Sequence, residues 1–162
     1  MSNWTIRRAE KKDAAALAEC FDAAYSIYAP RIADLPAVSD GIEDDIERNV
    51  VWVAARDNQV IAGLVLLPKE DHVVLANVAI DPSANGAGLG RAFMDLAEAE
   101  AEAEARKLGH EKLRLSTHVD MPENVRLYEH LGWHEIGRSG NKVHMEKSLK
   151  QSSGVGSSTN RQ

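Results

Sequence analysis

Three glycines alternate in Asn85-Gly86-Ala87-Gly88-Leu89-Gly90-Arg91, between an apolar run that closes on Ile80-Asp81-Pro82 and a stretch patterned as a long helix. Glycine opens left-handed backbone and lets a ligand approach without meeting a Cβ. The unbonded amides of a helix start carry the positive end of the helix dipole. Together these features predict a site for a phosphate or pyrophosphate. Each hydrogen bond to a charged group contributes about 1.5–3 kcal/mol, so three or four amides give useful affinity. Two familiar phosphate signatures are excluded by the residues present. A P-loop closes with Gly-Lys-Ser/Thr, whereas Gly90 precedes Arg91-Ala92. The dinucleotide pattern needs a small residue three after its second glycine, where Arg91 follows Gly88. A plain tight turn also uses glycine, but three in this short stretch between strand and helix favour a ligand.

Other chemistries find little support. His130 and His134 are four apart, but Gly132 ends the helix between them, so they do not share a metal-binding face. His134-Glu135 lacks the second histidine of a zinc-protease helix, and Ser116-Thr117-His118 lacks the flanking glycines of a hydrolase elbow. Cys20 is the sole cysteine, which excludes an internal disulfide and a thiolate zinc cluster. It reads as a core residue of the first helix.

The segment Asn85-Gly86-Ala87-Gly88-Leu89-Gly90, after the strand end Val78-Ala79-Ile80-Asp81-Pro82, resembles the signature of the GNAT-type N-acetyltransferases, Gln/Arg-x-x-Gly-x-Gly/Ala. Asn85 departs from it, standing where Gln or Arg is usual. A second segment, Asn124-Val125-Arg126-Leu127-Tyr128-Glu129-His130-Leu131-Gly132-Trp133, is similar to that family's Asn-x-x-x-x-Tyr-x-x-x-Gly-Phe stretch, with Trp133 in the place of Phe. The resemblance runs over about residues 4 to 149.

The resemblance implies a mixed α/β fold of GNAT type, acetyl-CoA as co-substrate with no metal, and attack of a neutral primary amine on the thioester. Asn85, Gly86, Ala87, Gly88, Leu89, Gly90 and Arg91 would bind the pyrophosphate. The backbone of Val78, Ala79 and Ile80 would pair with the pantetheine arm like an added strand, and an amide near Val78 or Ala79 would meet the developing oxyanion. Asn124 would hydrogen-bond the same arm and Tyr128 would protonate the departing thiolate, since a phenol is acidic enough to do so and stays protonated at neutral pH. Trp133 would pack as core. No single base stands out among Asn77, His118 and the acceptor-side residues Tyr25, Tyr28 and Arg31; His118 is the one taken forward. An alternative reading is a non-catalytic acyl-CoA sensor or interaction module, against which Tyr128 speaks.

The elements that must position these residues follow from periodicity. Trp4–Arg7 reads as a strand, and Asp13 as the cap of a helix over 14–25 with Leu17, Phe21 and Ala24 on its buried face. Ser39 to Asn49 reads as an acidic helix. Val50–Arg56 and Val60–Leu67 read as a hairpin around Asp57-Asn58-Gln59. His72–Ile80 is so continuously apolar that it predicts a central strand covered on both faces. A long helix is expected from about Gly90 to Lys107, its buried face carrying Leu89, Ala92, Phe93, Leu96, Ala99 and Ala103. The alternation Ala97 to Ala105 has a strand's period, but Ala and Glu are helix formers. Lys112–Thr117, a helix over Pro122–Leu131 and the hairpin Trp133–Arg138 with Lys142–Leu149 complete the order β-α-α-β-β-β-α-β-α-β-β. That order predicts a mixed, mainly antiparallel central sheet flanked by helices.

The 162 residues, 44% apolar and 27% charged, fit one soluble domain, expected over 1–149, with a flexible Ser/Gly-rich tail over 150–162. A net charge of −6 argues against nucleic-acid binding. No apolar run approaches the roughly 20 residues that span a bilayer, so a membrane is not expected as a partner and a cytoplasmic location is. The expected acceptor is a small-molecule or protein amine; the acidic second helix would suit a cationic one. A homodimer is left open by the resemblance.

Overall fold

Apolar and β-branched runs become strands where a tight turn or a proline bounds them. In the computed structural model, which describes residues 4–34, 39–84 and 88–149, seven such runs form one mostly antiparallel sheet. The strands are β1 (Trp4–Arg8), β2 (Val50–Arg56), β3 (Gln59–Pro68), β4 (Val73–Ile80), β5 (Lys112–His118), β6 (His134–Ser139) and β7 (Lys142–Ser148). Their order in the sheet is β1-β2-β3-β4-β5-β7-β6. The helices are α1 (Ala14–Ser26), α2 (Ile42–Arg48), α3 (Leu89–Lys107) and α4 (Pro122–His130). The element order and the mixed, mainly antiparallel sheet are those expected from the sequence. The tail over 150–162 lies outside the described residues.

Two compact units divide the chain, one made of residues up to Pro68 with Leu75–Glu100, the other of Lys69–Val74 with the residues from Ala101 on. In the first, Leu17 and Phe21 of α1 and Ile42 of α2 pack with Val51, Val53, Val65 and Ala79 of the strands. Helix α1 comes close to β3 because Gly63 has no side chain. A Cβ there would run into Leu17 Cδ1 and stand 2.8 Å from Phe21 Cε1. The third buried residue of α1 is Cys20, while Ala24 is half-buried. The β2–β3 turn is shorter than expected: Arg56 pairs with Gln59, and Asp57 and Asn58 alone turn, at φ 52° and 64°. Two adjacent left-handed residues make the hairpin turn that matches the twist of its strands, and Asp and Asn tolerate it.

Asp13 holds the N-cap position of α1, as expected, but its side chain makes no capping hydrogen bond there. It closes a short 3-10 turn, Lys11–Asp13, where its carboxylate accepts the Glu10 N–H at 2.7 Å and takes the Arg7 guanidinium at 2.7 and 2.9 Å. With its carboxylate engaged by Arg7 and the Glu10 N–H, Asp13 leaves the start of α1 without a side-chain cap. Helix α2 is shorter than its acidic run, starting after Gly41 at φ 78°.

The buried stripe of α3 departs from expectation. Leu89 and Phe93 are buried as expected, but the stripe continues through Ala97, Ala101 and Ala105, while Ala92, Ala99 and Ala103 are exposed. Alternating Ala and Glu puts an alanine on every side of a helix, so the pattern carries no preferred face. Strand β4 holds the centre of the sheet order, yet it is not covered throughout. Val73, Leu75 and Ala79 are buried, Ala76 is exposed, and Asn77, Val78 and Ile80 are half-buried. In the second unit, Leu113 and Leu115 of β5, Val143 and Met145 of β7, and Trp133 are buried.

Candidate active site

The glycine turn lies in the first unit, and the end of β4 aims the chain into it. Asp81 donates its N–H to the Ile61 carbonyl at 2.8 Å. Its carboxylate then accepts both the N–H and the hydroxyl of Ser83, at 2.9 and 2.8 Å, which holds the short 3-10 turn Pro82–Ala84. Asn85, Gly86 and Ala87 lie outside the described residues. Gly88 takes φ 77°, and a Cβ built on it would meet nothing within 4 Å among the described residues. That left-handed backbone strains most other residues, and no described residue fills the space beside it. The Gly88 carbonyl accepts the first helical bond, from Ala92 N–H at 3.1 Å. The amides of Leu89, Gly90 and Arg91 thus form the first turn of α3, where a helix offers no acceptor of its own. Leu89 is buried and Arg91 exposed, so the turn is anchored on one side and open on the other. The parallel ladder between β4 and β5 consists of Val73↔Leu113 and Val74↔Arg114, upstream of Val78, Ala79 and Ile80.

The second candidate group sits at the start of α4 in the second unit. Pro122 opens that helix, where its missing N–H costs nothing. The Asn124 side-chain amide donates to Thr117 Oγ1 and to Met121 Sδ, each at 3.4 Å. Tyr128 follows one turn later, and residues four apart share a helix face. Tyr128 is buried, 8% exposed, with its ring edge-on to Trp133 at 5.7 Å. The Trp133 N–H returns to the Tyr128 carbonyl at 2.9 Å, so the chain after α4 folds back beneath that residue. Trp133 is core, as expected, and is 2% exposed.

His118 is buried at the end of β5, and its Nδ1 accepts the Asp120 N–H at 3.0 Å. In the neutral ring that bond occupies the Nδ1 lone pair. In the first unit, Tyr25 and Tyr28 meet edge-to-face at 6.2 Å, and the Arg31 guanidinium lies 5.3 Å over the Tyr28 ring. Burial, with the neighbouring Tyr28 adding, pushes the Tyr25 phenol above its ordinary pKa. Cys20 is inert: burial pushes its thiol to about 12. A recess of about 780 Å³ lined by Thr5, Arg7, Asp13, Gln59 and Asp81 opens in this unit. Thr117, the partner of Asn124, was not signalled by the sequence, because nothing local marks a hydroxyl that reaches from a strand to a helix start.

A family model for the acetyltransferase (GNAT) domain matches residues 47–135. That span is more than half the chain, and the chain belongs to the GNAT acetyltransferase family. Solved structures share the fold along nearly the whole length. The PaiA N-acetyltransferase of Thermoplasma acidophilum, solved in complex with coenzyme A, is 20% identical with a TM-score of 0.76, over 92% of this chain and 100% of that one. The ribosomal-protein-S18-alanine N-acetyltransferase of Escherichia coli is 22% identical with a TM-score of 0.70, over 92% and 96%. A putative acetyltransferase of Salmonella typhimurium, solved with acetyl-CoA, is 21% identical with a TM-score of 0.65, over 94% and 98%. At these identities the likeness is one of fold. No helix among the described residues is long and apolar enough to cross a membrane.

Proposed function

We propose that the protein transfers an acetyl group from acetyl-CoA to a primary amine by direct attack with both substrates bound. The observation that carries this reading is the start of α3. There a left-handed Gly88, with no described residue filling the space beside it, leads into three first-turn amides, a cradle for a pyrophosphate. Two of the similar structures are named N-acetyltransferases, which supports an amine acceptor, and the coenzyme A and acetyl-CoA held by two of them support the donor.

In this reading residues 85–91 hold the pyrophosphate, with Asn85 through Arg91 acting chiefly through backbone amides. The backbone of Val78, Ala79 and Ile80 binds the pantetheine arm, beyond the point where the ladder to β5 ends. Asn124 hydrogen-bonds that arm, its amide oriented by Thr117 and Met121. Acetyl-CoA supplies the reactive thioester. Tyr128 donates a proton to the sulfur as it leaves, and the ring contact with Trp133 restricts where its hydroxyl points. The acceptor is a small-molecule or protein amine. The carboxylates of Glu43, Asp44, Asp45 and Glu47 on α2 suit a cationic one.

Thermal unfolding with acetyl-CoA, ATP and NAD, on wild type and on Gly88→Glu, tests the reading. Ligand at about 100 times its dissociation constant stabilises the fold by about 2.7 kcal/mol. A higher melting temperature with acetyl-CoA, absent with ATP and NAD and lost in the variant, is expected. No shift with acetyl-CoA at millimolar concentration would overturn the proposal.

A further inference from the structure

Three strands of the second unit bring two serines onto one histidine. Ser116 of β5 stands directly opposite His144 of β7, and Ser139 closes β6 beside them. Ser116 Oγ lies 2.7 Å from Nδ1 of His144, and Ser139 Oγ lies 2.7 Å from Nε2. Both serines are exposed and the imidazole is half-buried. Two of the nearby charged side chains are engaged elsewhere, Arg114 with Glu146 at 2.9 Å and Arg138 with Glu135 at 2.7 Å, while Lys142 stands opposite Ser139.

An ordinary surface serine is a poor nucleophile because its proton has no acceptor in place as the new bond forms. A hydroxyl on one imidazole nitrogen, with the ring held at the other, has that acceptor. When Nε2 carries the proton it donates to Ser139 Oγ, and the Nδ1 lone pair faces the Ser116 hydroxyl. The middle of β5 fixes Ser116 in register with His144, whereas Ser139 stands at a hairpin end, so Ser116 is the nucleophile. We propose that Ser116 is an acyl-accepting site for activated esters and thioesters, with His144 as its base and Ser139 as the residue that positions the ring. Ser116 Oγ bonds to the acyl carbon while its proton moves to Nδ1. The bond from that carbon to the leaving oxygen or sulfur breaks, and the leaving group departs with the electron pair and takes up the proton. The products are an acyl-serine and an alcohol or thiol. This site does not depend on acetyl transfer to an amine.

The test uses the full chain with 4-nitrophenyl acetate, following 4-nitrophenolate release and locating added acetyl groups by peptide mass mapping. Ser116 should acquire its acetyl group at least about tenfold faster than the exposed Ser26 and Ser148 of the same molecule. His144→Gln, which keeps a polar side chain without the base, should slow that site about 10²-fold. Ser139→Ala should slow it, and Ser139→Thr, which keeps the hydroxyl, should restore it. Ser116 labelled no faster than Ser148, a His144→Gln protein of unchanged melting temperature and unchanged rate, or an acetyl group on Ser139 in place of Ser116 would each overturn the proposal. If His144→Gln does not fold, the comparison of Ser116 with Ser26 and Ser148 in wild type, checked against Ser116→Ala, decides it.

Discussion

Replacing Gly63 with alanine adds one methyl group where α1 crosses β3. The new carbon would collide with Leu17 Cδ1 and stand 2.8 and 3.1 Å from Phe21 Cε1 and Cζ. Both neighbours are fully buried, so neither can swing into solvent to make room. Overpacking of this kind costs about 1–3 kcal/mol. Alanine's smaller freedom in the unfolded chain offsets about 0.4–1 kcal/mol of that. With two buried side chains to displace, the balance is a loss of about 1–2 kcal/mol, or a melting temperature lower by about 2–8 °C. Circular dichroism during thermal and urea unfolding measures it. The cause is isolated by Leu17→Ala, which removes the nearest obstacle and by itself costs about 2–5 kcal/mol. In that background Gly63→Ala should cost clearly less, because the two sites share one volume and Phe21, the one neighbour still within 3.0 Å, can shift into the space that Leu17 leaves. A melting temperature unchanged in the single variant, or the same penalty in both backgrounds, would refute the reasoning.

Tyr128→Phe should keep the ring contact with Trp133 while lowering kcat by about 10²–10⁴-fold with little change in KM for acetyl-CoA; an unchanged kcat would remove Tyr128 from the chemistry. The hydrogen bond from Arg7 holds the Asp13 carboxyl below its ordinary pKa. A lowered folded value means that the stability Asp13 contributes is present above the unfolded value of about 3.9 and is lost as pH falls through the folded one. Asp13→Asn should therefore cost about 1–3 kcal/mol at pH 7, and its deficit against wild type should shrink below about pH 4; a deficit equal at pH 3 and pH 7 would contradict this. With its thiol at about 12, Cys20 is only about 10⁻⁴ thiolate at pH 8. It should react with Ellman's reagent only when the chain unfolds, and prompt labelling of the native protein would show that the helix face is open.

Much of this protein was legible in the residues themselves. The bounds of β2, the order of all eleven strands and helices, the glycine turn and the Asn124–Tyr128 spacing follow from local signals: β-branched runs, turn residues, and glycines where a helix begins. Such signals act over a few residues and need no partner. The side of α3 that is buried did not follow, because Ala97 to Ala105 offers the same small residue to every direction and only the packing selects Ala97, Ala101 and Ala105. Nor did the role of the Asp13 side chain, which pairs with Arg7 and makes no capping bond at the helix start that Asp13 occupies. Nothing near Gly63 in the sequence signals that α1 lies across it, and nothing near Ser116 or Ser139 signals that three strands set both on His144. The sequence determined which elements form and where the chain turns, since those are choices of backbone conformation within a few residues. Which faces meet, and which side chains gain a partner, was decided by tertiary structure, because burial and hydrogen bonding depend on residues far away in the chain.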